Sequence, residues 1–258
     1  MDQLSNKGKL HGEFFFHTPI YYKDLPNSKK LNNHLFKHIK AWKIRDEKGI
    51  VRSNSLGWHS AVDMHHRKEY NPLTKELFEM QKEIYQAEGY HSKTEPICDN
   101  MWANINYKHS HNKNHVHPGA QWSGVYYIRT PKDCGHIWFT DPCGQRHIDI
   151  PIMQDKKEKP KHYWREVHYE PIEGRLIMFP GWLVHEVAPN MSNLKGEKGW
   201  RCSVSFNSVA LTVTDTLSLL NNDSFSFCSL TDFFLPSDMI LKKSDNSLVI
   251  ILLPEDEP

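Results

Sequence analysis

Cysteine is sparse in this chain and shows no pairing pattern. The five thiols, at positions 98, 134, 143, 202 and 228, are odd in number and include no C-x-x-C spacing. That argues against a disulfide framework and fits a reducing cytoplasm with free thiols. Net charge is also missing, since 32 Lys and Arg nearly cancel 31 Asp and Glu. Nothing in that balance advertises nucleic acid or an anionic membrane as the partner. No apolar run approaches the roughly 20 residues of a membrane span; the longest late one, Leu248–Leu253, falls far short. Met1 to Glu13 is polar and lacks the apolar stretch of a secretion signal, so a cytoplasmic location is expected. Internal repeats and a clean linker are absent too.

What is present supports one packed domain. The 258 residues are 38% hydrophobic and 24% charged, a composition that can bury a core. Histidine is the outlier at 17, and imidazole is the commonest side-chain ligand for transition metals. Random placement at that frequency yields about one His-x-His pair at strand-face spacing. The chain has two, His109/His111 and His115/His117, so the motif is informative only in context.

The first hundred residues read as a mixed helical and strand region. Phe14–Phe16 and Ile20–Tyr22, flanking Pro19, read as a strand entering the domain. Leu31, Leu35, Ile39 and Trp42 recur at helical spacing and predict a helix over 28–45. Leu73, Leu77, Met80 and Ile84 predict a second helix, with Asn71 as N-cap, Pro72 at its first position and Gly89 as its stop. From 101 to 209 the texture changes to short strand-like pieces, at 102–107, 115–117, 122–128, 136–140, 166–170, 175–179, 185–188 and 201–209. Eight short strands separated by turns predict a mainly β fold, a sandwich or jelly roll. Residues 210–258 form a C-terminal extension of unclear structure, with candidate strands at 224–230 and 247–253.

Three features carry chemistry. In Asn114-His115-Val116-His117-Pro118 an extended backbone sets His115 and His117 on one face, where both can meet one ion. In Gly174–Pro180 followed by Gly-Trp-Leu-Val-His185 a strand ends in a Pro-Gly turn and the next opens with a histidine. In the strand at 201–209, Trp200, Cys202, Val204 and Phe206 alternate with Arg201, Ser203, Ser205 and Asn207. Alternation alone is equally compatible with a solvated polar face or with one turned inward, where a guanidinium could grip a carboxylate bidentately.

Taken in this order, the residues resemble the iron(II)/2-oxoglutarate oxygenase superfamily. Within it they resemble a little-characterised subfamily patterned H-x-H-P-G-A, S-G-V-Y-Y, G-x-L, F-P, H-x-V and an arginine strand ending in Phe-Asn. Here those are His115–Ala120, Ser123–Tyr127, Gly174–Val187 and Arg201–Asn207, with Trp102–Asn106 before them. The resemblance covers about residues 95–209. It implies a double-stranded β-helix over 101–209 and an oxidoreductase that couples decarboxylation of 2-oxoglutarate to succinate with oxidation of a substrate. Iron(II) would sit on His115 and His185, 2-oxoglutarate on Arg201 and Ser203, and ascorbate would stimulate turnover. Tyr127, in the matching strand, reaches the co-substrate in many members; an amphipathic core tyrosine fits it equally.

His117 departs from the superfamily, which normally has Asp or Glu there. A three-histidine site, a vacancy filled by water or an anion, and a carboxylate brought from elsewhere, such as Asp141, are all compatible with the sequence; the spacing favours three histidines. His109 and His111 read as a mobile rim, His65-His66 as an exposed basic patch or helix start, and Asp141–Gly144 as a turn. The expected reaction is hydroxylation of a peptide side chain or a small metabolite. A catalytically silent jelly roll that binds metal or ligand, and a three-histidine dioxygenase working without 2-oxoglutarate, remain alternatives. Oligomeric state, a homodimer included, is left open.

Overall fold

The computed structural model describes residues 16–92, 94–148, 160–212, 239–244 and 247–252. In chain order the strands are β1 (Tyr21–Asp24), β2 (Asn54–Ser55), β3 (Trp58–His59), β4 (Thr94–Asn106), β5 (His111–His115), β6 (Trp122–Arg129) and β7 (Ile137–Thr140). They continue with β8 (Glu166–Tyr169), β9 (Arg175–Pro180), β10 (His185–Val187), β11 (Arg201–Thr212), β12 (Met239–Ser244) and β13 (Ser247–Leu252). Two helices, α1 (Ser28–Arg45) and α2 (Asn71–Ala87), precede β4. Among the described residues, strands β12 and β13 pair with each other alone.

The remaining strands form two antiparallel sheets, a six-stranded one ordered β1-β9-β6-β11-β4-β3 and a five-stranded one ordered β2-β5-β10-β7-β8. From β4 onward the chain passes between sheets: β4 major, β5 minor, β6 major, β7 and β8 minor, β9 major, β10 minor, β11 major. That weave is a double-stranded β-helix, as the motifs imply. The eight strands of the weave match the eight anticipated ones. β4 is longer than anticipated, and β5 ends at His115, short of His117.

Both faces of the major sheet are covered, and the sequence encodes it by period-two alternation between two apolar environments. Tyr126, Ile128, Leu176, Met178, Cys202, Val204 and Phe206 face the helices, joining Leu35, Ile39, Trp42, Leu73, Leu77, Met80 and Ile84 in one core. Val125, Tyr127, Ile177 and Phe179 face inward, joining Ile137, Phe139 and Leu183 from the other side. Each such aliphatic side chain contributes about 1.5–3 kcal/mol by burial. Gly124 permits this close approach: a Cβ there would lie 2.3 Å from Phe206 Cζ and 2.6 Å from Ile177 O.

Several local expectations need correction. Asn71 is the first residue of α2, not its cap, because the 3-10 turn Lys68–Tyr70 runs straight into the helix and leaves Tyr70 at the cap position. Phe16 is exposed and outside any strand; the entering strand is Tyr21–Asp24, paired with β9. Phe14, Phe15 and residues 224–230 lie outside the described residues. The two-residue strands β2 and β3 carry too little pattern to be anticipated.

His65 is the largest revision. It is 5% exposed, on a 3-10 turn, with Nδ1 lacking a partner. Burial, then the neighbouring His66, pulls its pKa down from the ordinary imidazole value to about 4. In the unfolded chain the ring takes a proton as pH falls below about 6.5, while the folded ring resists until about 4. The unfolded state therefore binds more protons in that window, and stability is lost as pH drops through it. His65→Gln is expected to be about 2 kcal/mol less acid-labile than the native chain between pH 7 and 5, read from urea unfolding at both pH values. Equal acid lability in the two proteins would refute this assignment.

Candidate metal centre and co-substrate pocket

The two sheets enclose a cavity of about 520 Å3 counting its open mouth. On the minor sheet, His115 of β5 and His185 of β10 are direct cross-strand partners. A register shift between His185 and Val187 lets both Asn112 and His115 of β5 line the cavity. His185 opens its strand because Pro180 ends β9 and Leu183 N–H closes the intervening turn on Pro180 O at 2.9 Å. His117 lies just beyond β5, anchored by its backbone N–H to Gly181 O at 2.8 Å.

The three imidazoles converge. Ring centroids are 4.3 Å apart for His115–His185, 5.0 Å for His115–His117 and 5.1 Å for His117–His185. Each ring offers a nitrogen lying within 4.8 Å of those of the other two. His115 Nδ1–H donates to Lys113 O at 2.6 Å and His185 Nδ1–H to Leu183 O at 2.8 Å. A carbonyl can only accept, so both rings are fixed in the tautomer that leaves Nε2 for a metal. Ser53 Oγ, 3.4 Å from His115 Nε2, sits on that same side. Burial, then the neighbouring His115, pulls the His185 pKa down to about 3; the same two causes take His117 to about 4. Burial lowers His115 as well. At neutral pH all three are uncharged, the form that coordinates.

No carboxylate among the described residues joins them. Among the described residues this is the one grouping of three or more His, Cys, Asp or Glu able to hold an ion. Asp141 is engaged elsewhere: its Oδ2 meets His147 Nε2 at 2.8 Å and its Oδ1 accepts from Cys143 N–H at 3.0 Å. His109 and His111 do not line the cavity; His109 is exposed on a turn with positive φ.

The polar face of β11 turns inward. Arg201, Ser203 and Ser205 line the same cavity as the histidines. Arg201 is 1% exposed, and its Nη1 donates to Cys134 O, Gly135 O (3.0 Å) and Ala188 O (3.2 Å). Gly135 makes that cradle possible, since φ is +88° and a Cβ would come within 2.2 Å of Ala188 O. Nη2 is buried without a partner, and no carboxylate among the described residues pairs with the group. Burial lowers the Arg201 pKa, with Tyr127 and Cys134 opposing. Tyr127, from β6, is buried beside Ser203, its cross-strand partner. Val125, Ile137, Phe179 and Val187 supply apolar wall.

These residues fit the groups that the motifs imply. Three neutral nitrogens, two on adjoining strands and one just past the end of β5, suit a divalent transition metal such as iron(II). A buried guanidinium with an idle N–H edge suits the end of a dicarboxylate. Trp102, Asn104 and Asn106 also line the cavity; their two-residue spacing was the available signal. Ser53 and Asn112 offered none.

Residues 100–207 match the family profile described as "Putative 2OG-Fe(II) oxygenase". No curated protein matches the chain. Among solved structures, the non-heme alpha ketoglutarate dependent epimerase SnoN from nogalamycin biosynthesis aligns with TM-score 0.53 at 10% identity, over 81% of this chain and 85% of its own. The carbocyclase SnoK from the same biosynthesis gives 0.50 at 10%, over 79% and 87%. A Pseudomonas putida prolyl-4-hydroxylase gives 0.49 at 14%, over 74% and 94%. At such identities the SnoN and SnoK structures establish the shared jelly-roll fold alone. Among the described residues no helix is long and apolar enough to cross a membrane. Residues 100–207, the segment that supplies nearly all of this cavity, are thus the part of the chain that is similar to the 2OG-Fe(II) oxygenase family.

Proposed function

We propose that the protein is a hydroxylase in which His115, His117 and His185 hold iron(II) while Arg201, Ser203 and Tyr127 hold 2-oxoglutarate. The observation that carries this reading is the buried, unpaired Nη2 of Arg201, on a residue that lines the same cavity as the three imidazoles. When bound, iron with 2-oxoglutarate and dioxygen supplies the oxidising chemistry, releasing succinate and carbon dioxide.

The chain's own residues do the rest. The backbone carbonyls of Lys113 and Leu183 fix two ligand rings, so donor nitrogens are aimed before a metal arrives. Arg201, held by three carbonyls, presents its free edge in a preset direction, and the Ser203 hydroxyl stands two residues away on the same strand face. The apolar side chains of Val125, Ile137, Phe179 and Val187 limit water around the reacting groups. No separate general base is needed. The primary substrate is a peptide side chain or a small metabolite entering by the open mouth.

Succinate release from 2-oxoglutarate, with ascorbate and oxygen present, tests the reading. The expected result is slow turnover even without a primary substrate, abolished by chelating iron and restored by iron(II). Iron-independent turnover, or none while 2-oxoglutarate fails to bind the iron-loaded protein, would refute it.

A further inference from the structure

The cavity wall formed by β4 holds a polar group that the reading above leaves unused. Asn104 is 5% exposed and lines the cavity. Its Nδ2 donates to Ser205 Oγ at 3.2 Å, while its Oδ1, fully buried, has no partner. A buried amide with one idle end is costly, and such positions call for a group that completes them.

The sheet register says which group that is. Asn104 is the cross-strand partner of Ser203, and Ser203 that of Tyr127. The three form one inward row across β4, β11 and β6. On one side of this row, Asn106 stands opposite Arg201. On the other, Trp102 stands opposite Ser205, its ring 5.8 Å from that of His117. Asn104 therefore lies between the guanidinium and the histidines, in the row of two residues assigned above to the co-substrate.

We infer that Asn104 is a further co-substrate-binding residue, its amide turned so that Nδ2 donates to a carboxylate oxygen of 2-oxoglutarate while Oδ1 accepts from Ser205. This rests on the function proposed above. Exchanging the two ends of the amide leaves the shape of the side chain unchanged, and a serine hydroxyl donates as readily as it accepts. The turned amide has no idle end once the anion is bound. Facing the other way, its oxygen would set partial negative charge against a dianion.

The competing role is acceptance of a hydrogen bond from an N–H or O–H of the primary substrate. Asn104→Asp separates the two, because aspartate keeps the shape and the acceptor but loses the donor and adds a charge. The measurement is anaerobic calorimetric titration of 2-oxoglutarate into the iron-loaded protein, with the melting temperature of each variant checked first. Expected is a loss of affinity of about 100-fold in Asn104→Asp, where two carboxylates face each other, and about tenfold in Asn104→Ala. If Asn104→Asp does not fold, Asn104→Ala carries the test alone. Affinity within twofold of native in Asn104→Ala, or within threefold in a folded Asn104→Asp, overturns the inference. Arg201→Lys, titrated alongside, tells the two failures apart. If Arg201→Lys weakens binding and the Asn104 variants do not, only the role of Asn104 falls; if none of them weakens it, the underlying co-substrate site falls too.

Discussion

His185→Ala is expected to abolish iron-dependent succinate formation and to weaken metal binding by far more than the ~10–100-fold that follows loss of a supporting partner. His185 is 4% exposed, is tied by Nδ1 to Leu183 O, and stands directly opposite His115 in the ladder, so nothing else in the sheet can take its place. Equilibrium dialysis against iron(II) or manganese(II) reads the effect without requiring turnover. His109→Ala, on the exposed rim, serves as the matched control and should bind metal as the native chain does. The same dialysis with His117→Ala decides the unusual position. A loss comparable to that in His185→Ala makes His117 a third ligand, and a loss of a few-fold at most would place it outside the coordination sphere. Metal binding by His185→Ala at native affinity would remove the centre altogether.

The reason this site could be anticipated is that its essential parts are written in local pattern. His115 and His117 sit two apart beside a strand, His185 follows a Pro-Gly turn, and Arg201 leads an alternating strand whose apolar members are distinctive. What alternation left undecided was the direction of the polar face. Only the pairing of β11 between β4 and β6, with helices covering the opposite side, turns Arg201, Ser203 and Ser205 inward. The cradle around Arg201 was out of reach for a different reason. It consists of backbone carbonyls, which carry no residue identity, brought together where Gly135 meets Ala188. Ser53 reaches the cavity because residues 54–55 add a two-residue strand to β5, a long-range pairing too short to leave a period. His65 was misplaced because a histidine pair next to an arginine has a solvated composition, whereas the 3-10 turn Met64–His66 buries the first ring and leaves the second exposed.

Arg201→Ala is the second large effect, and it separates the proposed enzyme from a three-histidine dioxygenase that works without 2-oxoglutarate. Removing one member of a buried, hydrogen-bonded charge pair typically costs about 2–5 kcal/mol, which is a rise of roughly 30-fold or more in KM for 2-oxoglutarate. Three carbonyls that Nη1 now satisfies would also be left without a donor, so the variant should melt at a lower temperature. That makes Arg201→Lys the more telling partner. A lysine keeps the charge but is a single point donor, unable to hold the carbonyl cradle and the free edge at once. Its KM should rise too, with kcat at saturating 2-oxoglutarate kept closer to native. The ring nitrogens of His115, His117 and His185 are untouched by either change, so metal binding should persist in both. An unchanged KM in the two variants, with iron still bound, would mean that the guanidinium neutralises nothing from the co-substrate. Arg201 would then be a structural brace tying β11 to the loop that enters β7 and to the end of β10, and the three-histidine chemistry without 2-oxoglutarate would become the better account of the centre.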